Sequence, residues 1–229
     1  MEIISQTLSW LGDPYESLVI GDTPRTPTEE EVEELCLWFE DHRDQLPLYC
    51  PLPFPLFSHL PHVRAYPHER WQLCTQGIDP FAGLRVLDVG ANTGYYGLLS
   101  LAAGAVHATL IEPDRMVGSF VHRVCQAHGL GGAVSVVAVS AESAGGVLSG
   151  SHFDVAFVFS LLHHLPEQAA VSVLKNILQC SRTVFLESGD DHELLQVIIR
   201  KAGITEPRLL GTLPVNHGLN MRQVWEAHR

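Results

Sequence analysis

One stretch constrains the fold of this chain more than any other. Arg85-Val86-Leu87-Asp88-Val89 is an apolar strand candidate, Gly90-Ala91-Asn92-Thr93-Gly94 a glycine-punctuated turn, and Tyr95-Tyr96-Gly97 the start of an amphipathic helix. Gly90 and Gly94 allow a tight turn and a close backbone approach to a ligand that a side chain would block. The alternation continues along the chain, with strand candidates at 84–89, 108–111, 134–139, 153–159 and 183–187, then 209–213 and 222–227. Such repetition predicts an α/β fold: a mostly parallel sheet with helices on both faces, its last strands open to antiparallel pairing. Ligands of such sheets bind at the carboxyl ends of the strands.

Residues 1–80 read differently, with clustered prolines and little strand-like alternation, and they are expected to form a helical and Pro-rich cap on the 81–229 domain. Thr26, Pro27 and Glu29 have the types and spacing of an N-cap, a first-turn proline and a capping-box acid, which predicts a helix over 27–45. In the following Leu48-Tyr49-Cys50-Pro51-Leu52-Pro53-Phe54-Pro55-Leu56-Phe57 the prolines forbid a regular helix or central strand while the apolar residues still need burial. Such a loop is either a structural wrap around the core or a lid that walls a pocket. At 229 residues, 46% of them apolar, the chain can bury one substantial core.

The formal net charge of −12, with Lys175 and Lys201 the only lysines, argues against a nucleic-acid partner, whose phosphates need clustered Lys and Arg. The acids of Glu29-Glu30-Glu31 and Glu33-Glu34 read as a solvated helix face. Met1-Glu2-Ile3-Ile4-Ser5-Gln6 lacks the basic start and apolar stretch of a signal peptide, and no apolar run is long enough to span a bilayer, so a cytoplasmic protein without a membrane partner is expected. Five scattered cysteines without a Cys-x-x-Cys pair read as reduced, mostly buried thiols. His59, His62 and His68 lie near one another in sequence, but no histidine pair has zinc-binding helical spacing, and no metal is expected.

The glycine turn narrows the ligand. Its spacing is Gly-x-x-x-Gly-x-x-Gly, not the Gly-x-Gly-x-x-Gly of a dinucleotide site, and Asp88 stands immediately before it. A carboxylate there repels a pyrophosphate but can engage the ammonium of an amino-acid cofactor, directly or through water, which favours S-adenosylmethionine over NAD. Glu112 ends the second strand about 20 residues on, where a ribose-binding acid is needed. After the third strand, Ala141-Glu142 offers a carboxylate or a backbone amide to an adenine edge. The fourth strand ends in Phe159, then Leu161-Leu162-His163-His164-Leu165, which places an apolar end and two histidines beside a transferable group.

Val86 to Gly94, Glu112, Glu142 and the Phe-Asp-Val…Leu-His-His-Leu stretch, in this order, resemble the class I S-adenosylmethionine-dependent methyltransferase family over about residues 70–229. The resemblance implies a seven-stranded Rossmann-like sheet, a cofactor-binding methyltransferase domain at 81–229, and transfer to oxygen, nitrogen or carbon by in-line displacement. Asn92 stands where the family usually has glycine, and asparagine tolerates left-handed backbone. A closer similarity, carried by Arg70-Trp71 and Arg222-Gln223-Val224, is to the tRNA-uridine carboxymethyltransferase branch. It implies that Arg70, Trp71 and Arg222 contact cofactor or substrate, although that branch has tyrosine where His163 stands. His163 also resembles the general base of small-molecule O-methyltransferases; a histidine can accept a hydroxyl proton near neutral pH, and the same Leu-His-His-Leu can serve only to pack. His164 is taken beside it as a substrate contact. The expectation is methyl transfer to an oxygen or nitrogen of a small molecule. Carboxymethyl transfer to tRNA and a non-catalytic cofactor-binding module are the alternatives.

Overall fold

In the computed structural model, residues 25–57, 60–62, 67–76, 81–215 and 220–229 are described. The expectations made at Met1–Gln6 and at His59 lie outside them. β1 (Arg85–Val89) and β4 (Phe153–Val158) are apolar almost throughout, and both are buried on both faces, as the central strands of a parallel sheet must be. With β2 (His107–Ile111), β3 (Val134–Val137), β5 (Ser181–Glu187), β6 (Arg208–Val215) and β7 (Asn220–His228) they form one seven-stranded sheet of order β3-β2-β1-β4-β5-β7-β6. The first five strands pair in parallel, while β7 runs antiparallel to both β5 and β6.

Side chains alternate across the sheet, so each strand feeds two separate apolar clusters. Val86, Leu110, Phe157, Phe185 and Val224 enter the first, together with α1 (Glu29–His42), α2 (Pro67–Thr75), α3 (Tyr95–Ala102) and α4 (Arg115–Ala127). Leu87, Val89, Ile111, Val158, Val184 and Leu186 enter the second, under α5 (Ala144–Leu148), α6 (Glu167–Cys180) and α7 (His192–Ala202). The result is helices on both faces of a Rossmann-like sheet.

The N-terminal helix starts later than its sequence suggests. The N-cap is Thr28, whose hydroxyl accepts from the Glu31 amide while Glu31 accepts from the Thr28 amide. Thr26-x-x-Glu29 and Thr28-x-x-Glu31 both fit the capping-box pattern, and the second prevails because Arg25 forks onto the Glu31 carboxylate at 2.7 and 2.5 Å. Pro27 therefore precedes the helix. At the other end α-helical turns stop at His42, and a single 3-10 turn, Arg43–Gln45, completes the expected length.

The Pro-rich segment is neither helix nor sheet, yet Leu46, Leu48, Cys50, Leu52 and Phe54 are buried at every second position. This is the period of an extended chain, reached without ladder hydrogen bonds because proline has no N–H to give. Phe54 stacks on His128 of the α4 C-cap with ring centroids 4.1 Å apart, and Phe57 meets the same ring edge-on. The cap thus shares the first cluster with the sheet. No disulfide links the five cysteines, and all but the half-buried Cys36 are buried. Among the described residues no helix is long and apolar enough to cross a membrane.

Candidate active site

Because side chains repeat every two residues along a strand, the residues that end the strands on the first face are determined by the apolar ones below them. Asp88 follows Val86, Glu112 follows Leu110, Phe159 follows Phe157, Glu187 follows Phe185, and Arg222 precedes Val224. The carboxyl edge thereby gathers three acids, an aromatic ring and an arginine on one side of the sheet.

The turn between β1 and α3 is held from both sides. Gly90 and Ala91 donate their amides to the Ile111 carbonyl at 2.9 and 3.0 Å. Gly90 and Gly94 both have φ of +72°, and a Cβ on Gly94 would come within 2.6 Å of Leu110. Asn92, at φ +49°, also occupies the left-handed region. Asp88 is buried, and its carboxylate accepts the Gly97 amide at 3.1 Å, so a strand residue caps α3, whose own N-cap is the side-chain-less Gly94. Burial pushes the Asp88 carboxyl up to about 7, against the opposing effect of the Gly97 amide.

This position gives a testable pH dependence. The folded chain holds the Asp88 proton more tightly than an unfolded one, whose carboxyl titrates near its ordinary 3.8, so stability from this group is present at low pH and lost as pH rises through about 7. A bound cation favours the ionised form and works in the opposite direction. S-adenosylmethionine affinity is expected to rise between about pH 6 and 8, with proton release on binding, and Asp88→Asn should flatten that slope. Calorimetry in two buffers of different ionisation heat measures both; a slope that Asp88→Asn leaves intact would assign it elsewhere.

Glu112 is 7% exposed, and its two oxygens accept from the amides of Asn92 at 2.7 Å and Asp114 at 2.9 Å. Burial raises its pKa, while those two amides oppose the rise. Each oxygen keeps a lone pair for a further donor. Ala141 is buried and Glu142 exposed, both in the turn after β3.

Arg70 and Trp71 arrive from α2 already buried, each 1% exposed. Trp71 stacks on Phe81 with centroids 5.1 Å apart and lies beneath the site in the core. Arg70 donates to the Tyr96 hydroxyl at 2.8 Å, pairs with Glu187 at 2.8 Å, and lies over the Phe159 ring at 5.8 Å. Burial works against its charge, but Tyr96 and Glu187 outweigh it and hold the guanidinium above its ordinary pKa. From β7, Arg222 donates to the Ser160 hydroxyl at 2.9 Å and pairs with Asp190 at 3.4 Å, and Ser160 donates in turn to Glu187 at 2.5 Å. Ser160 holds φ of +52°, a conformation a serine rarely adopts outside constrained sites.

The histidines lie in the turn that follows β4. His163 lies in the 3-10 turn Leu162–His164, and His164 is exposed, its ring centroid 4.0 Å from that of His163. A Cβ on Gly189 would fall 2.5 Å from the His163 Cβ, so only glycine after β5 lets this turn close. His163 lines a narrow crevice with Glu187, Gly189, Asp191 and Leu194. Leu161 of the same turn packs over Gly90.

The strand-end row thus brings Asp88, Gly90, Asn92, Gly94, Glu112, Phe159, Arg70 and Arg222 together. Glu142 is exposed in the turn after β3, Trp71 is in the core, and His163 and His164 approach from the α7 side. Tyr96, Ser160, Leu161 and Glu187 were not singled out by sequence. Glu187 was legible from its parity with Phe185, whereas the other three announce themselves only through tertiary contacts. Among the described residues no three His, Cys, Asp or Glu side chains are placed to share a metal ion, and His62 and His68 bond locally to Leu60 and Gln72.

Residues 86–183, less than half of the 229-residue chain, match the family model described as a methyltransferase domain. No curated protein sequence matches the chain. Among solved structures, the magnesium protoporphyrin IX methyltransferase of Synechocystis PCC 6803, solved with S-adenosylmethionine bound, superposes with TM-score 0.53 at 15% identity, covering 70% of this chain and 76% of that one. A S-adenosylmethionine-dependent methyltransferase of Leishmania major gives 0.56 at 15% identity, covering 69% and 70%. WbdD gives 0.64 at 18% identity, covering 82% of this chain but only 41% of its own length. The chain therefore carries the fold of S-adenosylmethionine-dependent methyltransferases, and its residues 86–183 match a methyltransferase domain.

Proposed function

We propose that this chain, an enzyme of the S-adenosylmethionine-dependent methyltransferase class, transfers a methyl group to an oxygen or nitrogen of a small-molecule acceptor. The observation that carries the reading is the row of strand-end residues around a glycine turn whose second-strand acid, Glu112, retains lone pairs above two amide bonds. These residues suit the cofactor. Glu112 would accept from its ribose hydroxyls, the Gly90–Gly94 turn would admit its backbone-hugging amino-acid end, Asp88 would face its ammonium through water, and Ala141-Glu142 would meet its adenine. When bound, that cofactor supplies an electrophilic methyl on a sulfonium.

The chain's own residues do the rest. Phe159, Tyr96 and the buried Arg70–Glu187 pair form a dry wall that orients an acceptor, while Arg222, 11% exposed, offers the site its most accessible cation. Alignment of acceptor and methyl provides most of the rate, and His163 would take the proton from a hydroxyl acceptor. A small acceptor fits the net charge of −12 and agrees with the porphyrin-modifying neighbour. One second reading is a carboxymethyl-transferring enzyme, in which Arg222, partly exposed and only loosely paired with Glu187 and Asp190, would turn a donor to an extra carboxylate.

Calorimetry with S-adenosylmethionine, its carboxylated analogue and NAD separates these readings, followed by screening of cell extract for products heavier by one methyl. Binding of S-adenosylmethionine alone, with such a product, is the expected result. Tighter binding of the carboxylated analogue would promote the second reading, and binding without any product would leave a cofactor-binding module.

A further inference from the structure

Two side chains of the cofactor turn point away from any ligand and into the Pro-rich segment. Asn92 Nδ2 donates to the Pro47 carbonyl at 2.8 Å, and its Oδ1 accepts from the Tyr49 amide at 2.8 Å. Thr93 Oγ1 donates to the Pro51 carbonyl at 3.2 Å. Asn92 therefore grips both sides of one extended residue, as a strand partner would. Proline at 47, 51 and 53 removes three of the amides through which the segment could bond to itself, leaving local turns such as Leu48 N–H to the Leu46 carbonyl at 2.9 Å. The same Asn92 donates its own amide to Glu112, the acid read above as the ribose ligand.

From this geometry we infer that Asn92 is a positioning residue that latches segment 46–57 over the cofactor turn and couples the latch to occupancy at Glu112. The inference rests on the methyltransferase reading and adds regulation of the same site. A ribose held by Glu112 fixes the oxygen that accepts from the Asn92 amide. The Asn92 backbone then keeps its left-handed conformation, and its side chain keeps its two bonds to 47 and 49. Without a ligand, side-chain burial and the Asn92 and Thr93 bonds contribute to holding the segment. A ligand shifts such an equilibrium only by binding one state better, and the shared Glu112 oxygen supplies that difference. Asparagine is suited to the task because it tolerates φ of +49° and carries both a donor and an acceptor. Glycine would keep the turn but lose the latch.

The test is hydrogen exchange of peptides covering 46–57 in the full chain, with and without S-adenosylhomocysteine, combined with calorimetry of the same ligand. In the wild type the ligand should slow exchange at the Tyr49 amide. Asn92→Gly should speed that exchange, abolish the ligand's protection and weaken binding about tenfold, the effect of losing one or two neutral hydrogen bonds. Asn92→Asp keeps the acceptor for Tyr49 but not the donor for Pro47, and it should fall between the two, which keeps the idea testable if the glycine variant folds poorly. Binding to the wild type without slower exchange at 46–57, or an Asn92→Gly variant that matches it in both measurements, overturns the latch and leaves the methyltransferase reading standing. Failure of the wild type to bind overturns both.

Discussion

Glu187→Ala should destabilise the protein by about 3–5 kcal/mol, the range seen when one partner of a buried ion pair is removed and the other charge is left uncompensated. Among the described residues Glu187 is the only carboxylate paired with Arg70, and both side chains are almost wholly out of water, at 0% and 2% exposure. Arg222 also faces it at 3.8 Å but has Asp190 as an alternative. The truncation therefore strands Arg70, whose remaining contacts among the described residues include the neutral Tyr96 hydroxyl and the Phe159 ring but no charge partner. Glu187→Gln preserves the shape and the acceptor for Ser160 while removing the charge, and it should lose less. Urea denaturation of the three proteins with a common slope measures the difference. A loss below about 1 kcal/mol for the alanine variant would mean that water or a rearranged Tyr96 solvates Arg70.

The Glu187 network also shows where sequence reading stops. The strand ends were legible because alternation in a two-faced sheet is local: once Val86, Leu110 and Phe157 are assigned to the core, Asp88, Glu112 and Phe159 must follow on the same side. Arg70 could be singled out by resemblance, but its pairing with Glu187 joins residues 117 positions apart, and no local pattern encodes it. The capping box shows a subtler limit. Two overlapping matches compete in Thr26-Pro27-Thr28-Glu29-Glu30-Glu31, and an arginine outside both decides between them. Asn92 reads in sequence as a tolerated departure from glycine, and only the folded chain shows its amide bonded to a segment more than 40 residues upstream.

His163→Ala should lower turnover by about a hundredfold or more while leaving S-adenosylmethionine affinity unchanged, the pattern of a general base that acts in the transition state and does not hold the cofactor. The arrangement that favours the role is positional. The turn bearing His163 follows β4, Leu161 two residues earlier covers Gly90, and the ring packs where Gly189 leaves room after β5. The imidazole is thus fixed between the ends of β4, which neighbours β1 in the sheet, and β5, on rigid elements. If it accepts a hydroxyl proton, the wild-type pH–rate profile should show an acidic limb that rises as the base deprotonates and that disappears in the alanine variant. A nitrogen acceptor that reacts as a free amine needs no base, and alignment alone would then carry the rate. Single-turnover kinetics with calorimetry separates these cases. Equal turnover in both proteins would remove His163 from the chemistry and return the Leu-His-His-Leu turn to a packing role against α7.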